Sequence, residues 1–178
     1  MKPIDFTSAQ ALLLSRVAPV ETETVSLSDC GGRILAADLQ AQENIPPFDR
    51  SPYDGYAFRA ADSTAASEEN PVILTILEEV PAGAVPTKTV TAGTAVKILT
   101  GAPIPQGADA VCKFEDTRFT AETVTLLQPY QTGANSVRTG EDVQAGQVLA
   151  HKGDVIDGGT AGTLAVPPSI TSPLWAST

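Results

Sequence analysis

The spacing of apolar positions changes several times along the chain. Near the N-terminus Ala9, Leu13 and Val17 recur at helical spacing, and Leu12 and Leu14 broaden that stripe. Thr7 with Gln10 three residues on resembles a capping box, and Pro19 follows, so the pattern predicts a helix. Thr24 to Leu27 then alternates as a short strand, Ser28 is placed to cap one helical turn ending at Gly31-Gly32, and Arg33 to Ala37 returns to extended backbone. From Glu43 to Asp54, Pro46, Pro47 and Pro52 hold the backbone extended and remove ladder donors, which predicts an ordered loop. Five runs read as strands between Gly/Pro-bearing turns: Tyr56 to Arg59, Val72 to Val80, Ala95 to Leu99, Ala110 to Phe114 and Thr123 to Leu127. In GEDVQAGQVLAHKGDVI, Gly146 and Gly153 punctuate two short apolar runs as in a hairpin with its turns. Ala161 to Ala165 begins a helix that Pro167-Pro168 stops, and the tail from 166 to 178 has no period and is expected to be loosely held.

These elements predict a mainly β fold with short helices, of the α+β class, built around a small barrel or sandwich. Composition agrees: 14 Gly, 14 Pro and only 18% charged residues suit many turns and little long helix, while 42% hydrophobic content over 178 residues suffices for a core. Eleven basic against 21 acidic residues give a net charge of −10, and no basic face is visible, so nucleic acid is not expected as a partner. Cys30 and Cys112 lie too far apart for a CxxC metal motif and read as buried free thiols. His151 is the single histidine and sits in a turn-rich segment, which leaves His-based zinc or triad chemistry without support. The N-terminus lacks the order of a signal peptide and no run approaches a membrane span, so a cytoplasmic chain without membrane attachment is the default.

Candidate chemistry concentrates in two segments. In PPFDRSPYDGYA, residues 46–57, prolines stiffen a loop carrying Asp49, Arg50, Ser51 and Asp54, although Asp54-Gly55 is also an ordinary turn dipeptide. In ILTGAPIPQGADAV, residues 98–111, a strand ends at Thr100 and a Gly/Pro turn follows, which can offer backbone N–H groups and the Thr100 hydroxyl to an anion. Glu115-Asp116 and Glu141-Asp142 are carboxylate pairs able to bind Mg²⁺ or act as acid and base. On a strand, only one of each pair could serve a given site, and solvated surface is the commoner fate. Arg138, before Thr139-Gly140, suits a phosphate in an otherwise acidic chain.

Taken together, GGRILAADL (31–39) leading into PPFDRSPYDGYA, then ILTGAPIPQGADAV, then GEDVQAGQVL (140–149) with Lys152-Gly153 resemble the N-terminal part of the molybdopterin molybdenumtransferases, the MoeA family that includes the gephyrin E domain. The resemblance covers roughly residues 5 to 165. It implies a small mixed lobe from residues 1–44 and 141–165, a barrel-like β subdomain inserted over 45–140, a loose tail over 166–178, and the absence of the family's C-terminal α/β and β subdomains. It further implies that molybdenum from molybdate is inserted into adenylylated molybdopterin with release of AMP in a Mg²⁺-assisted step. The partners implied are a second copy in a homodimer and, in the pathway, molybdopterin adenylyltransferase. Asp54 matches the aspartate of the family's S-x-x-D-G-Y-A motif and Thr100 the threonine of T-G-A-P, and both carry over as catalytic positions. Ser51, Gly101 and Arg138 carry over as substrate-binding positions, Asp54 with Asp142 as metal-binding ones, and Glu141 is family-typical. Tyr53 stands where many relatives have Met or Leu, a difference expected to affect packing more than mechanism. The rival expectations are a non-catalytic dimerisation or scaffold fragment and a small β-rich domain for an anionic ligand.

Overall fold

The computed structural model describes residues 3–18 and 20–165, together with the backbone of 175–177. The chain divides into two units, residues 44–144 and residues 1–43 with 145–178. In the first, six strands form one sheet: β4 (Gly55–Phe58), β5 (Val72–Val80), β6 (Thr94–Ile98), β7 (Ala110–Lys113), β8 (Thr117–Phe119) and β9 (Thr123–Leu126), in the order β7-β4-β6-β5-β9-β8. β7 and β8 stand at opposite ends of that order, yet only the 3-10 turn Phe114–Asp116 separates them in sequence. Five inter-strand steps would set the edges of a flat sheet about 24 Å apart. The linking residues span at most about 14 Å. The sheet therefore curls into a partial barrel, and Phe119 of β8 comes within 5.9 Å of Tyr56 of β4, centroid to centroid.

Alternation along the strands gives this sheet two apolar faces. Tyr56, Phe58, Leu74, Ala95, Ala110, Cys112, Val124 and Leu126 pack on one, while Ala57, Val80, Val96, Ile98 and Val111 pack on the other. β4 is buried along its whole length. Its first residue has to be glycine, since a Cβ at Gly55 would lie 1.8 Å from the Cys112 carbonyl oxygen on β7. β5 runs parallel to β6 with a bulge between Ile76 and Glu79. Cys112 is a free thiol that burial pushes up to about 12, so it behaves as a small core hydrophobe.

The second unit contains α1 (Phe6–Leu14), β1 (Thr22–Thr24), β2 (Ile34–Leu35), β3 (Leu39–Gln40), β10 (Val148–Ala150), α2 (Gly158–Leu164) and β11 (Trp175–Ser177). Its core is small: Cys30, Leu35, Leu39 and Ile156 are buried, with Leu149, Ala161 and Leu164 against them. The predicted helix is present, but Asp5 caps it through its side chain to the Ser8 N–H, not Thr7. An aspartate two residues earlier satisfies the free N–H groups first. The predicted strand at Thr24 to Leu27 is shorter and earlier, and Leu27–Asp29 forms the 3-10 turn before Cys30. The hairpin predicted after Arg138 does not form. β10 pairs instead with β3, and Gly146 and Gly153 donate to the carbonyls of Ala41 and Leu35. Two of the predicted sequence signals, Pro19 and Pro167-Pro168, lie outside the described residues, as does most of the tail. Trp175–Ser177 pairs between β1 and β2.

Candidate functional site

The two motif-bearing loops are bonded to each other along their length. The Ser51 N–H donates to the Ala102 carbonyl at 3.0 Å, the Gly101 N–H to Ser51 at 2.8 Å and the Ile104 N–H to Asp49 at 2.8 Å. The left-handed backbone at Gly101, φ +85°, turns the chain back so that this pairing can occur. At the end of the paired stretch, Asp54 Oδ1 accepts both the Thr100 N–H and the Thr100 hydroxyl at 2.7 Å. Those two donors hold the Asp54 carboxyl below the usual carboxylate range, the hydroxyl contributing most. No described residue donates to its Oδ2, which leaves that oxygen for a ligand.

Asp54 and Thr100 border a cleft of about 510 Å³ with Pro52, Tyr53, Lys113, Glu115 and Asp116. The register Gly55↔Lys113 brings β7 beside the motif, and the Lys113 ammonium lies 4.1 Å from the centroid of the Tyr53 ring. Three carboxylates thus face one ammonium. Glu115 and Asp116 sit in the 3-10 turn after β7 and not on a strand, so both border the cleft, contrary to the expected opposite-face arrangement. Tyr53, expected to matter for packing, instead forms part of the cleft wall. The sequence offered no local sign of Lys113 at the site, because sheet register alone brings it there.

The other positions carried over in the sequence analysis lie apart from this cleft. Ser51 is fully buried. Its hydroxyl donates to the Tyr53 carbonyl at 2.5 Å and accepts the Tyr53 N–H at 3.2 Å, so it builds the loop. The expected anion-binding turn is spent internally: the N–H groups of Thr100, Gly101 and Ala102 bond to Asp54, Ser51 and Leu99. Arg138 is no lone cation, since its guanidinium pairs with Asp49 at 2.8 Å. Asp49 also accepts the N–H of Thr139 at 2.7 Å and its hydroxyl at 2.9 Å, and these bonds, the backbone one foremost, hold its carboxyl below the usual range. Glu141 accepts the Arg138 N–H, and Asp142 lies with them outside the cleft that holds Asp54, so the expected Asp54–Asp142 metal pair is not assembled there. Among the described residues no cluster of three or more His, Cys, Asp or Glu side chains is arranged to hold a metal by itself, and no helix is long and apolar enough to cross a membrane.

A partial barrel carrying an aspartate clamped by the threonine of a neighbouring Gly/Pro turn defines a class of protein that the comparisons identify. The family model for the MoeA N-terminal region, domains I and II, matches residues 4–166, and the chain belongs to that family. A molybdopterin molybdenumtransferase of Bacillus subtilis (strain 168) is 46% identical over 149 residues, covering 82% of this chain and 35% of the relative. One from Staphylococcus epidermidis is 37% identical over 163 residues, covering 92% of this chain and 39% of the relative. The crystal structure of a molybdopterin biosynthesis MoeA protein from Pyrococcus horikoshii superposes with a TM-score of 0.85 at 39% identity, over 99% of this chain and 46% of that one. The chain thus spans 35–46% of the length of these relatives.

Proposed function

We propose that the chain supplies the N-terminal share of a composite site that inserts molybdenum from molybdate into adenylylated molybdopterin with release of AMP. The observation that carries this reading is the Asp54–Thr100 clamp, two motif residues from distant segments meeting at one cleft. Thr100 fixes Asp54 in one orientation and keeps it ionised, with Oδ2 directed to a ligand. Lys113, braced on Tyr53, provides a positive group for a phosphate oxygen. Work of this kind is positional and electrostatic.

The donor set fits Mg²⁺ in the manner usual for phosphate substrates, with one or two carboxylates and the phosphate itself in place of an all-protein cage. Asp54 with Glu115 or Asp116 would hold the ion, which supplies charge neutralisation at the phosphate linkage. An anion-binding β domain has less support, because the turn N–H groups are spent and carboxylates outnumber the ammonium. A homodimer has one observation in its favour: α1 buries none of its residues, leaving Phe6 82% and Leu13 70% exposed. Molybdopterin adenylyltransferase, as the source of the adenylylated pterin, is the pathway partner this reading carries.

The test replaces the matching region of the Bacillus subtilis relative with residues 4–166 of this chain. Molybdate-dependent AMP release from adenylylated molybdopterin is the expected outcome. A folded chimera without it overturns the reading.

A further inference from the structure

Two lysines of the six-stranded sheet stand beside aromatic rings, and they are held differently. The Lys97 ammonium lies 5.6 Å from the centroid of the Phe114 ring and also donates to Glu79 at 2.9 Å. The Lys113 ammonium lies nearer its ring, 4.1 Å from the centroid of Tyr53, and forms no ion pair or hydrogen bond with a described residue.

That isolation is unexpected where Lys113 stands. It is the residue before the 3-10 turn Phe114–Asp116, so Glu115 and Asp116 follow it closely, and all three border the cleft with Asp54. An ammonium on a flexible stem among carboxylates has every opportunity to close onto one. An exposed ion pair and an exposed cation–π contact are of similar strength, however, so a ring already in place can hold the ammonium back. The Tyr53 ring is in place because its backbone is clamped: the fully buried Ser51 donates its hydroxyl to the Tyr53 carbonyl and accepts the Tyr53 N–H, with Pro52 between them. Tyr53 is 41% exposed, so core packing does not account for an aromatic side chain there.

We propose that Tyr53 is a positioning residue: its ring holds the Lys113 ammonium apart from Glu115 and Asp116, which keeps a cationic pole for a phosphate oxygen and a carboxylate pole for Mg²⁺ in one cleft. The assignment rests on the phosphate reading of this cleft. Without the ring, the ammonium closes onto a carboxylate and both poles weaken together, since neighbouring charges that neutralise each other attract neither ion.

The test uses the 178-residue chain, with inorganic pyrophosphate in the presence of Mg²⁺ as the probe and the amide shifts of Lys113 to Asp116 as the readout. Tyr53→Leu should weaken binding about three- to tenfold at an unchanged melting temperature. Tyr53→Phe keeps the ring and should bind within about twofold of the parent. Because Tyr53 acts through Lys113, adding Tyr53→Leu to Lys113→Gln should weaken binding by less than about twofold further. An upfield ring-current shift of the Lys113 ε-methylene protons, present in the parent and in Tyr53→Phe but lost in Tyr53→Leu, reads the contact without any ligand. A parent lacking that shift or any saturable binding, a Tyr53→Leu variant that binds as the parent, a Tyr53→Phe variant as weak as Tyr53→Leu, or full additivity with Lys113→Gln would each overturn the proposal. A chimera that releases no AMP while these results hold would instead remove the molybdenum reaction and support Tyr53 as the residue that positions Lys113.

Discussion

The two units differ in how their cores are assembled. In residues 44–144 nearly every strand contributes alternate side chains to two apolar faces, and β4 is buried on both. In the unit made of the two chain ends, strands of two or three residues pair across more than a hundred positions, as β3 does with β10, around a four-residue buried core. Dense alternation makes the first unit stable enough to carry a clamped polar loop, whereas the second depends on a few long-range contacts whose loop-closure cost is high.

The largest effect should come from adding one methyl group to the dense unit. Gly55→Ala drives a Cβ into the Cys112 carbonyl and is expected to cost about 4 kcal/mol or more, read from a denaturant midpoint, because neither backbone can yield without breaking β4–β7 pairing. A shift under about 1 kcal/mol would mean the two strands are not held at this spacing. In the sparse unit, Ile156→Ala should cost about 2–4 kcal/mol. Amide exchange should then accelerate at Leu35 and Ala41 while Tyr56, Val96 and Val111 stay protected, and uniform acceleration would show that the units unfold as one.

The contrast also explains what could be read from the sequence. Val72 to Val80 was predicted with its observed bounds, and the other four strand predictions fall within two residues of theirs, because alternating burial writes a local pattern. Thr117–Phe119 and Leu39–Gln40 went unpredicted: two or three residues carry no period, and their partners are remote. The same holds for the hairpin expected around Gly146, where the turn glycine was recognisable but its partner, Ala41, was not. At the site, Asp54 and Thr100 were legible as motif residues in stiff loops. Lys113 was not, since only the register across β4 and β7 brings it to the cleft. Glu115-Asp116 is legible as a carboxylate pair, but strand alternation predicts opposite faces where a 3-10 turn stands.

A smaller effect on stability, with a larger one on rate, separates clamp from scaffold. In the chimera, Asp54→Asn should lower turnover on the order of 10²-fold while leaving the melting temperature nearly unchanged, both measured on one preparation. Normal turnover with a lowered melting temperature would remove Asp54 from the site. The smallest effect concerns acid. Asp49 and Asp54 titrate below their ordinary values in the folded chain, so the stability they add is present above the unfolded-state pKa and is lost as pH falls through the lowered ones. Asp49→Asn should therefore flatten the acid limb of the stability curve by less than about 1 kcal/mol, given its partly exposed pair with Arg138. An unchanged limb would show that the pair contributes nothing to folding.

The short turn Phe114–Asp116 links the two edges of the curled sheet, and its three residues divide their side chains between the cleft and the core. Glu115 and Asp116 border the Asp54 cleft, while Phe114 packs against the core and lies beneath the ammonium of Lys97. The turn is thus a buckle: its length fixes the curvature of the barrel, and that curvature sets the spacing of the acidic groups. A one-residue insertion there would slacken the ring and move the two acidic groups off the Asp54 cleft, so barrel curvature and cleft width are a single geometric quantity.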